Sequence, residues 1–279
     1  MTGKFKVALA ALLICFVSSG AQAKGPYFQK VIWVVLENTD YASAMAQADF
    51  ARLAQMGASF QNFNGESHPS QANYIAMIAG DTMGVRGDGN ADISGKHLGD
   101  LLEAAGKDWR VYAEDYPGNC FTGATRGNYA RKHNPFISFT NVSKDSERCK
   151  KIVPADQFDS DFEHQQLSEF SMYIPNLRDD GHNTGVEYAG KWFSKKFANL
   201  LNSPDGLRDT LLVVTFDESE SRLTNKIYTV LLGENIQAGI QIPQAHNHIS
   251  LLKLIEDQLQ LGNLGRADLT APPIMGLWK

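Results

Sequence analysis

The stretch VIWVVLE, from Val31 to Glu37, decides the fold of this 279-residue chain. Its apolar, β-branched and aromatic side chains follow one another without a polar interruption until the carboxylate of Glu37. A half-buried strand alternates polar and apolar residues, so an unbroken apolar run predicts a strand buried on both faces. Such strands belong to parallel sheets that helices cover on both sides. The stretch therefore predicts an α/β fold.

The rest of the chain alternates strand-like and helix-like patterns. Further strands are predicted at ASFQNF (58–63), WRVYAE (109–114), FSMYI (170–174), TLLVVTF (210–216) and IYTVLL (227–232). Helices are predicted at 40–56, 97–105, 186–201 and 250–260. Strands that alternate with helices predict a mostly parallel central sheet with helices on both of its faces.

The first residues have the pattern of a secretory signal peptide. Lys4 and Lys6 precede an apolar run over 7–17, and small residues follow up to Ala23. The apolar run is shorter than the ~20 residues that a permanent transmembrane helix needs, and no later stretch is long and apolar enough. We therefore predict a signal peptide over 1–23, no transmembrane segment, and a periplasmic or secreted protein with a single catalytic domain over 24–279.

Two cysteines remain after the one inside the predicted signal peptide. Cys120 and Cys149 lie in the longest irregular stretch, 117–162, which we interpret as a surface excursion of the single domain. In an oxidising compartment two cysteines are most simply one disulfide, whose removal would cost about 2–4 kcal/mol. A metal site or a reactive thiol is the alternative.

The charge of the chain argues against one class of partner. The net charge is −5, and the lysines and arginines are scattered without a basic and aromatic stripe. Nucleic-acid binding depends on such clustered positive charge. We therefore predict no nucleic-acid partner.

Polar side chains follow the predicted strands at the point where each strand ends. They are Glu37 and Asn38, Glu114 and Asp115, Asn176 with the DDGHN segment after it, and Asp217 and Glu218. Each pair alone could be a helix cap or a turn. The carboxyl ends of parallel strands meet at one edge of the sheet, where ligands bind in such folds. The pairs together predict a single site at that edge.

Five of the seven histidines stand next to Asn, Asp or Pro, in predicted loops: His68, His133, His182, His246 and His248. The other two, His97 and His164, have amphipathic surroundings and are predicted to lie at the surface. A lone histidine is more often structural than catalytic, but loops carry a large share of functional residues. The five together favour a site with donors for an anion and ligands for a metal.

Ser70 lies in GESHPSQANYIAMIAG, from Gly65 to Gly80, where a loop enters a predicted helix. Its simplest role is to cap that helix. A base or a metal would instead make the hydroxyl a nucleophile, and a helix N-terminus attracts a phosphate. Without a divalent cation to join them and Asn38, the carboxylates of Glu37, Asp217 and Glu218 would repel one another or be forced to take up protons. These patterns predict hydrolysis of a phosphate ester through a phosphoserine.

Six segments, in this order, resemble the motifs of a known family: LENTDY, SHPSQANY, KHNPF, PNLRDDGHN, TFDES and NHISLLKLIED. The family is the bacterial and fungal phosphoesterase family, which includes secreted acid phosphatases and bacterial phospholipases C, within the alkaline phosphatase superfamily. The resemblance extends from about Tyr27 to Arg266. It implies a three-layer αβα sandwich.

The resemblance also implies roles for single residues. It implies that Ser70 is the nucleophile, that Glu37, Asn38, Asp217 and Glu218 bind the metal, and that His133, His182 and His248 surround the phosphate, with Asn134 and Asp180 nearby. His68 and Asn73 are added as hydrogen-bond partners of the phosphate because they flank Ser70. The general acid is predicted to be His182, since the neighbouring Asp180 would orient its ring and raise its pKa.

The sequence differs from the motifs of the superfamily's two-metal members, and these differences predict one metal ion. Those members use more Asp and His ligands than this chain offers, and Asn176 stands where the nucleotide pyrophosphatases have an aspartate. The predicted cofactor is therefore one divalent cation whose identity the sequence leaves open.

The predicted function is that of a metal-dependent phosphomonoesterase of the acid phosphatase type, with a small-molecule or lipid phosphate ester as substrate. Phospholipase C activity is the alternative, although the sequence contains no additional lipid-binding domain. A second alternative is a phosphate-binding or metal-binding protein without turnover, in which Ser70 merely caps its helix.

Overall fold

An eight-stranded sheet runs through the centre of the computed structural model, which describes residues 26–279. The signal peptide predicted over 1–23 lies outside the described residues. The strands are β1 (Lys30–Leu36), β2 (Ala58–Asn64), β3 (Trp109–Ala113), β4 (Thr125–Arg126), β5 (Tyr129–Ala130), β6 (Ile152–Pro154), β7 (Phe170–Ile174), β8 (Thr210–Phe216), β9 (Thr229–Leu232) and β10 (Ile240–Asn247). β4 and β5 form a separate two-stranded ribbon.

The order of strands across the sheet is β10-β2-β9-β8-β1-β7-β3-β6. β9 runs antiparallel to both of its neighbours, and all the other pairs in this sheet are parallel. The prediction of a mostly parallel sheet is confirmed. β1 lies between β8 and β7, with Leu36 opposite Phe216, so the chain leaves β1 and β8 at neighbouring points of the same edge.

Within residues 26–279, ten α-helices surround this sheet. They are α1 (Tyr41–Met45), α2 (Ala48–Met56), α3 (Ser70–Ala79), α4 (Leu98–Ala104), α5 (Thr140–Ser143), α6 (Ser146–Cys149), α7 (Gln157–Glu163), α8 (Val186–Lys196), α9 (Ala198–Asn202) and α10 (His248–Leu259). α3 packs against α4 and α10, whereas α2 packs against α1 and α8. These two groups of helices and the sheet between them make the three-layer αβα sandwich that was predicted. Among the described residues, no helix has both the length and the apolar character to cross a bilayer.

The residues of β1 explain why this strand is central. From Val31 to Leu36 every residue is buried, and β8 is buried along its whole length. At roughly 25 cal/mol per Å² of apolar surface, burial of such runs is the main source of stability of the sheet. The unbroken apolar run VIWVVL is therefore a strand buried on both faces, as predicted.

Several predicted boundaries differ from the structure. The helix predicted over 40–56 is two helices, α1 and α2, because Gln47 between them has extended backbone angles. The helix predicted over 186–201 is broken at Phe197, which is fully buried and packs against Phe193 and Tyr173. β10 was not predicted. It is an edge strand with an irregularity between Ile242 and Ala245 around Pro243, and edges and bulges are where a sheet tolerates proline.

The stretch 117–162 is more regular than predicted. It contains β4, β5, two 3-10 helices, three short α-helices and β6, which extends the main sheet beside β3. Cys120 and Cys149 form the predicted disulfide, with their Cα atoms 5.5 Å apart.

The two histidines predicted at the surface, His97 and His164, differ in their exposure to solvent. His164 is exposed. His97 is fully buried, and its Nδ1 atom accepts a hydrogen bond of 3.0 Å from the Gly99 N–H at the start of α4. Burial lowers the pKa of His97 to about 4. The surface prediction for His97 was therefore wrong, because a neutral imidazole can cap a helix inside an aromatic core.

Candidate active site

Four polar residues meet where β1 and β8 end side by side. Glu37 and Asn38 follow β1, and Asp217 and Glu218 follow β8. The three acids are each at most 2% exposed. The Asn38 N–H donates to Asp217 Oδ1 at 3.2 Å, and Asn38 Nδ2 donates to Glu218 Oε1 at 3.3 Å. The structure thus brings together all four residues that were predicted to hold a metal.

Asn38 has an unusual backbone conformation at this point. Its φ angle is +28°, in the half of conformational space that asparagine tolerates better than most residues. This turn directs both its side-chain amide and its backbone N–H to the acids after β8. Strained residues of this kind cluster at functional sites.

Ser70 points into the same group of residues. Its Oγ atom lies 3.1 Å from Glu37 Oε2, 3.1 Å from Glu218 Oε1 and 3.4 Å from Asn38 Oδ1. Ser70 is the first residue of α3, and the residue at the capping position is Pro69. The Ser70 side chain makes no capping hydrogen bond. The simple capping role is therefore not what the structure shows.

A second set of buried groups adjoins Glu37. His133 Nε2 lies 3.2 Å from Glu37 Oε1, and His133 Nδ1 lies 3.4 Å from Asp180 Oδ2. The Tyr74 hydroxyl donates to Glu37 Oε1 at 2.7 Å, and its ring stacks on His133 at 5.1 Å between centroids. Asp180 reaches this position because its carbonyl accepts the Glu37 N–H, which ties the loop after β7 to the end of β1.

The site has an excess of negative charge. Burial, together with the charges of Asp217 and Asp180, raises the pKa of Glu37 well above its usual range. Burial and the charge of Glu218 raise the pKa of Asp217 to about 8, and burial raises that of Asp180 to about 7. Burial also lowers the pKa of His133, which keeps that ring neutral and unable to compensate the acids.

This donor set fits a divalent cation. Carboxylate and amide oxygens are ligands of hard cations, and a neutral imidazole adds a ligand for zinc and similar metals. Asp217 Oδ2 is buried and has no hydrogen-bond partner, as expected for an oxygen that faces a cation. Among the described residues, the one group of three whose ligand atoms all lie within 4.8 Å of one another is Glu37, His133 and Asp180.

The set of candidate metal ligands is therefore larger than the sequence predicted. His133 had been predicted to act on the phosphate, and Asp180 to bind substrate. Both lie beside Glu37, where each could act as a ligand. A signal for Asp180 was visible, because DDGHN follows the predicted strand FSMYI (170–174) by a few residues. KHNPF lies far from every predicted strand, so no such signal indicated His133.

His182 lies at the open side of the site. It is exposed, and its ring centroid is 6.3 Å from that of His133. The prediction that Asp180 orients the His182 ring needs a correction. Asp180 Oδ1 accepts the backbone N–H of His182 at 2.7 Å, whereas the ring Nδ1 pairs with Asn183 Oδ1 at 2.8 Å. Asp180 thus fixes the loop, and Asn183 fixes the ring.

His248 has a different environment from the other predicted catalytic histidines. It is the first residue of α10 and is fully buried, with Nε2 3.0 Å from the Phe216 carbonyl oxygen and its ring edge-on to Phe63. Burial lowers its pKa to about 4. These contacts favour a structural role, in which His248 holds the last residue of β8 through the Phe216 carbonyl oxygen. His246 is also buried, in β10 against Phe60, instead of lying in a loop.

The predicted phosphate-binding residues differ in whether their polar side-chain atoms already have hydrogen-bond or ion-pair partners in the protein. His68 Nδ1 pairs with Glu218 Oε2, so His68 belongs to the cluster around Ser70. Asn73 is committed to the preceding loop, since its Oδ1 accepts from the N–H groups of Glu66 and Ser67 at 2.8 and 2.9 Å. Asn134 donates to the Tyr129 hydroxyl, and its buried Oδ1 has no partner.

One strand end predicted to join the site lies elsewhere. Glu114, after β3, accepts hydrogen bonds from the Tyr173 hydroxyl and the Asn176 N–H at 2.9 and 3.0 Å. It lines a separate cavity of about 460 Å³ together with Asp179. Burial raises the pKa of Glu114 to about 8. Fewer strand ends therefore contribute residues to the site at Ser70 than the sequence predicted.

Tyr74 is the residue of this site that sequence reasoning missed. It had been interpreted only as a core anchor of its helix. Tyr74 follows Ser70 by four positions, and residues so spaced lie on the same face of a helix. That spacing was the signal that could have placed it beside Ser70.

The fold is that of the alkaline phosphatase superfamily. A protein of that superfamily from Vibrio parahaemolyticus superposes with a TM-score of 0.62 at 13% identity, over 89% of this chain and 71% of that chain. Murine ectonucleotide pyrophosphatase/phosphodiesterase 5 superposes with a TM-score of 0.56 at 11% identity, over 85% of this chain and 97% of that chain.

Residues 39–262 match the model of the Phosphoesterase family, and the chain belongs to this family. A probable acid phosphatase of Kluyveromyces lactis is 33% identical over 89% of this chain and 62% of its own length. An acid phosphatase of Aspergillus fumigatus is 33% identical over 93% and 61%. The chain thus spans less than two thirds of these two relatives. A phosphatidylinositol-3-phosphatase of Mycobacterium tuberculosis is 32% identical over 91% of this chain and 84% of its own length.

Proposed function

We propose that this protein is an exported, metal-dependent phosphomonoesterase that hydrolyses phosphate esters through a phosphoserine on Ser70. The proposed catalytic domain is 24–279, after removal of a signal peptide over 1–23. The observation that carries the proposal is the position of Ser70 Oγ, within 3.4 Å of oxygens from Glu37, Asn38 and Glu218. The names of the relatives, which include acid phosphatases, support the same reaction.

One divalent cation is the proposed cofactor. Glu37, Asn38, Asp217 and Glu218 would hold it, with His133 and Asp180 as further candidates beside Glu37. Such a cation lowers the pKa of a hydroxyl and offsets the negative charge of a phosphoryl group.

The side chains of the site divide the proposed reaction between them. Either Glu37 or Glu218 accepts the one proton of the Ser70 hydroxyl, which prepares its oxygen to attack phosphorus. The bond from phosphorus to the ester oxygen breaks, and exposed His182 donates the proton that the departing alcohol needs. Water then attacks the phosphoserine and gives up a proton to His182. The bond from phosphorus to Ser70 Oγ breaks, inorganic phosphate leaves, and the carboxylate returns its proton to Ser70.

The space beside Ser70 fits a small, polar leaving group. A cleft of about 570 Å³ is lined by Asn38 and His182 and by further polar residues, of which Thr39, Ser43 and Asn183 are examples. Val186 is the single large aliphatic side chain in its lining. This lining favours a phosphomonoester of a polar alcohol over the acyl chains of a phospholipase C substrate.

Replacement of Ser70 by alanine tests the nucleophile. Ser70→Ala should reduce the turnover of p-nitrophenyl phosphate by at least about 10³-fold, because the residue that forms the covalent intermediate is lost. The measurement is kcat, together with the metal content and the melting temperature. Both of the latter should stay near those of the unchanged protein.

Ser138→Ala is a matched control for this experiment. Ser138 is also a serine 1% exposed, and its hydroxyl has no hydrogen-bond partner. This variant should keep full activity. Substantial activity of a folded, metal-loaded Ser70→Ala variant would contradict the proposed mechanism.

A further inference from the structure

An ion pair lies at the N-terminal turn of α3, beside Ser70. Lys132 Nζ is 2.9 Å from Asp88 Oδ2, and Asp88 Oδ1 accepts the backbone N–H of Gln71 at 3.1 Å. Gln71 directly follows Ser70 in the first turn of this ten-residue helix. The carboxylate of Asp88 therefore bridges a free N–H of the helix start and an ammonium group.

This arrangement is one that a phosphate would also satisfy. The N–H groups of a helix start and a lysine ammonium together attract an anion, and phosphoryl oxygens bind to both kinds of donor. In the structure the anion is supplied by the protein itself. The position matters because the adjacent residue carries the hydroxyl that is proposed to attack phosphorus.

Lys132 is held in place by its neighbours. It lies in the short 3-10 helix Arg131–His133. Arg131 is anchored by hydrogen bonds to the carbonyl oxygens of Ala91 and Thr122 at 2.7 and 3.1 Å. His133 on the other side packs on Tyr74. Lys132 is also a cation whose charge acts on the pKa of Glu37, against burial and the nearby acids.

Asp88 is held less firmly than Lys132. It stands between Gly87 and Gly89 in an irregular segment, and a Cβ atom added to either glycine would meet nothing within 4 Å. The side chain of Asp88 is 34% exposed, against 20% for Lys132. The carboxylate can therefore leave its position without disturbing packed neighbours.

We propose that Lys132 is the residue that selects phosphate monoesters, and that the substrate phosphoryl group displaces Asp88 from Lys132 and from the Gln71 N–H. This inference rests on the proposed function. A monoester dianion has a second negative charge for the ammonium, whereas a diester has one charge fewer. Asp88 occupies the position in the free protein and keeps Lys132 directed at it.

The first test compares two substrates. Lys132→Met should lower kcat/KM for p-nitrophenyl phosphate by about 10- to 100-fold, the effect of losing a charged hydrogen-bond partner, and that for bis(p-nitrophenyl) phosphate by less than about threefold. The matched control is Lys196→Met, which removes a lysine of 17% exposure from a 2.8 Å ion pair with Asp159. It should leave the ratio of the two constants unchanged. An equal loss on both substrates with Lys132→Met would overturn the proposal.

The second test measures binding without turnover. In the Ser70→Ala background, Asp88→Asn should tighten the binding of inorganic phosphate by about 3- to 10-fold, since a competing charge is gone, and Lys132→Met should weaken it about 10-fold or more. Isothermal titration calorimetry supplies the constants. Unchanged or weaker binding by Asp88→Asn would overturn the proposal, even if Lys132→Met failed to fold.

Different results would contradict the proposed phosphoserine and the proposed role of Lys132. Activity that survives Ser70→Ala contradicts the phosphoserine, and the phosphate titrations still report on Lys132 and Asp88. Complete loss of activity in Ser70→Ala with unaltered substrate preference in Lys132→Met contradicts the role of Lys132 alone.

Discussion

At the scale of single residues, the hydroxyl of Ser70 has more acceptors than it has hydrogens. Three acceptor oxygens lie within 3.4 Å of its Oγ atom, and a hydroxyl donates one hydrogen bond at a time. The remaining lone pairs face one another in a buried space. A cation bound there would relieve that conflict, and this links the chemistry of Ser70 to the proposed metal.

Tyr74→Phe should weaken the metal site while keeping the fold. The change removes the 2.7 Å hydrogen bond to Glu37 Oε1 but retains the ring that stacks on His133. Loss of a group that orients a ligand typically lowers metal affinity about 10- to 100-fold. The measurement is the concentration of divalent cation that restores half of the activity after chelation.

Tyr228→Phe is the control for that experiment. Tyr228 is also fully buried, and its hydroxyl donates to the Phe50 carbonyl oxygen at 2.8 Å, away from the site. It should leave the half-activating concentration unchanged. An unaltered metal requirement in Tyr74→Phe would show that Tyr74 only packs.

Single histidines also show where sequence reasoning ends. His182 and His248 both stand beside asparagine, and their local patterns predict the same role. One is exposed at a cleft, and the other is sealed behind Phe216 and Phe63. Which neighbours a histidine meets is decided by residues distant in sequence, so no local pattern could separate the two.

At the scale of elements, α10 and the segment that follows it hold two acids together. Glu256 on α10 is 2% exposed, and Asp268 in the 3-10 helix Ala267–Leu269 is fully buried. Asp268 accepts the N–H groups of Leu264 and Arg266 at 2.6 and 2.8 Å. Burial, and next the charge of Asp268, raises the pKa of Glu256 to about 8.

This pair should make the protein less stable in alkaline solution. Glu256 has a higher pKa in the folded chain than its ordinary value of about 4.5, so folding favours its protonated form. The stabilisation is complete below that ordinary value and is lost as the pH rises through about 8. Glu256→Gln, which cannot ionise, should reduce the fall in the free energy of unfolding between about pH 6 and pH 9.

Urea denaturation at several pH values measures this effect. Glu163→Gln on α7 is the control, because Glu163 is exposed. It should leave the pH dependence as it is. If Glu256→Gln showed the same alkaline loss of stability as the unchanged protein, Glu256 would not be the group responsible.

Elements differed in how well the sequence predicted them, for physical reasons. β1 and β8 were predicted because burial on both faces requires continuous apolar runs. β10 was missed because an edge strand exposes one side, contains Pro243 and has little apolar pattern to detect. The acids after β1 and β8 were assigned correctly to one place, since parallel neighbours end together, whereas Glu114 turned to Tyr173 through contacts that no pattern indicates.

At the scale of the whole molecule, the disulfide secures the longest excursion from the sheet. Cys120 and Cys149 are 29 residues apart, and closing a loop of this size removes about 3–4 kcal/mol of unfolded-state entropy. Cys120→Ser combined with Cys149→Ser should therefore lower the melting temperature by roughly 6–14 °C for a chain of this length. Calorimetry with and without a reductant measures the change.

Reduction of the unchanged protein is the internal comparison. It should lower the melting temperature as far as the double substitution does, and a reductant should not affect the double variant further. An unaltered melting temperature in the double variant would mean that the contacts of β6 with β3 alone hold this segment.

Because β1, β7 and β8 end side by side, the site at Ser70 can assemble only late in folding. The groups around Ser70 come from chain positions as distant as Glu37 and Glu218, and they meet only after three parallel strands have aligned. Such distant pairings form late and slowly during folding. A partly folded chain therefore has no assembled centre, and the proposed cation could bind only once the sheet is complete.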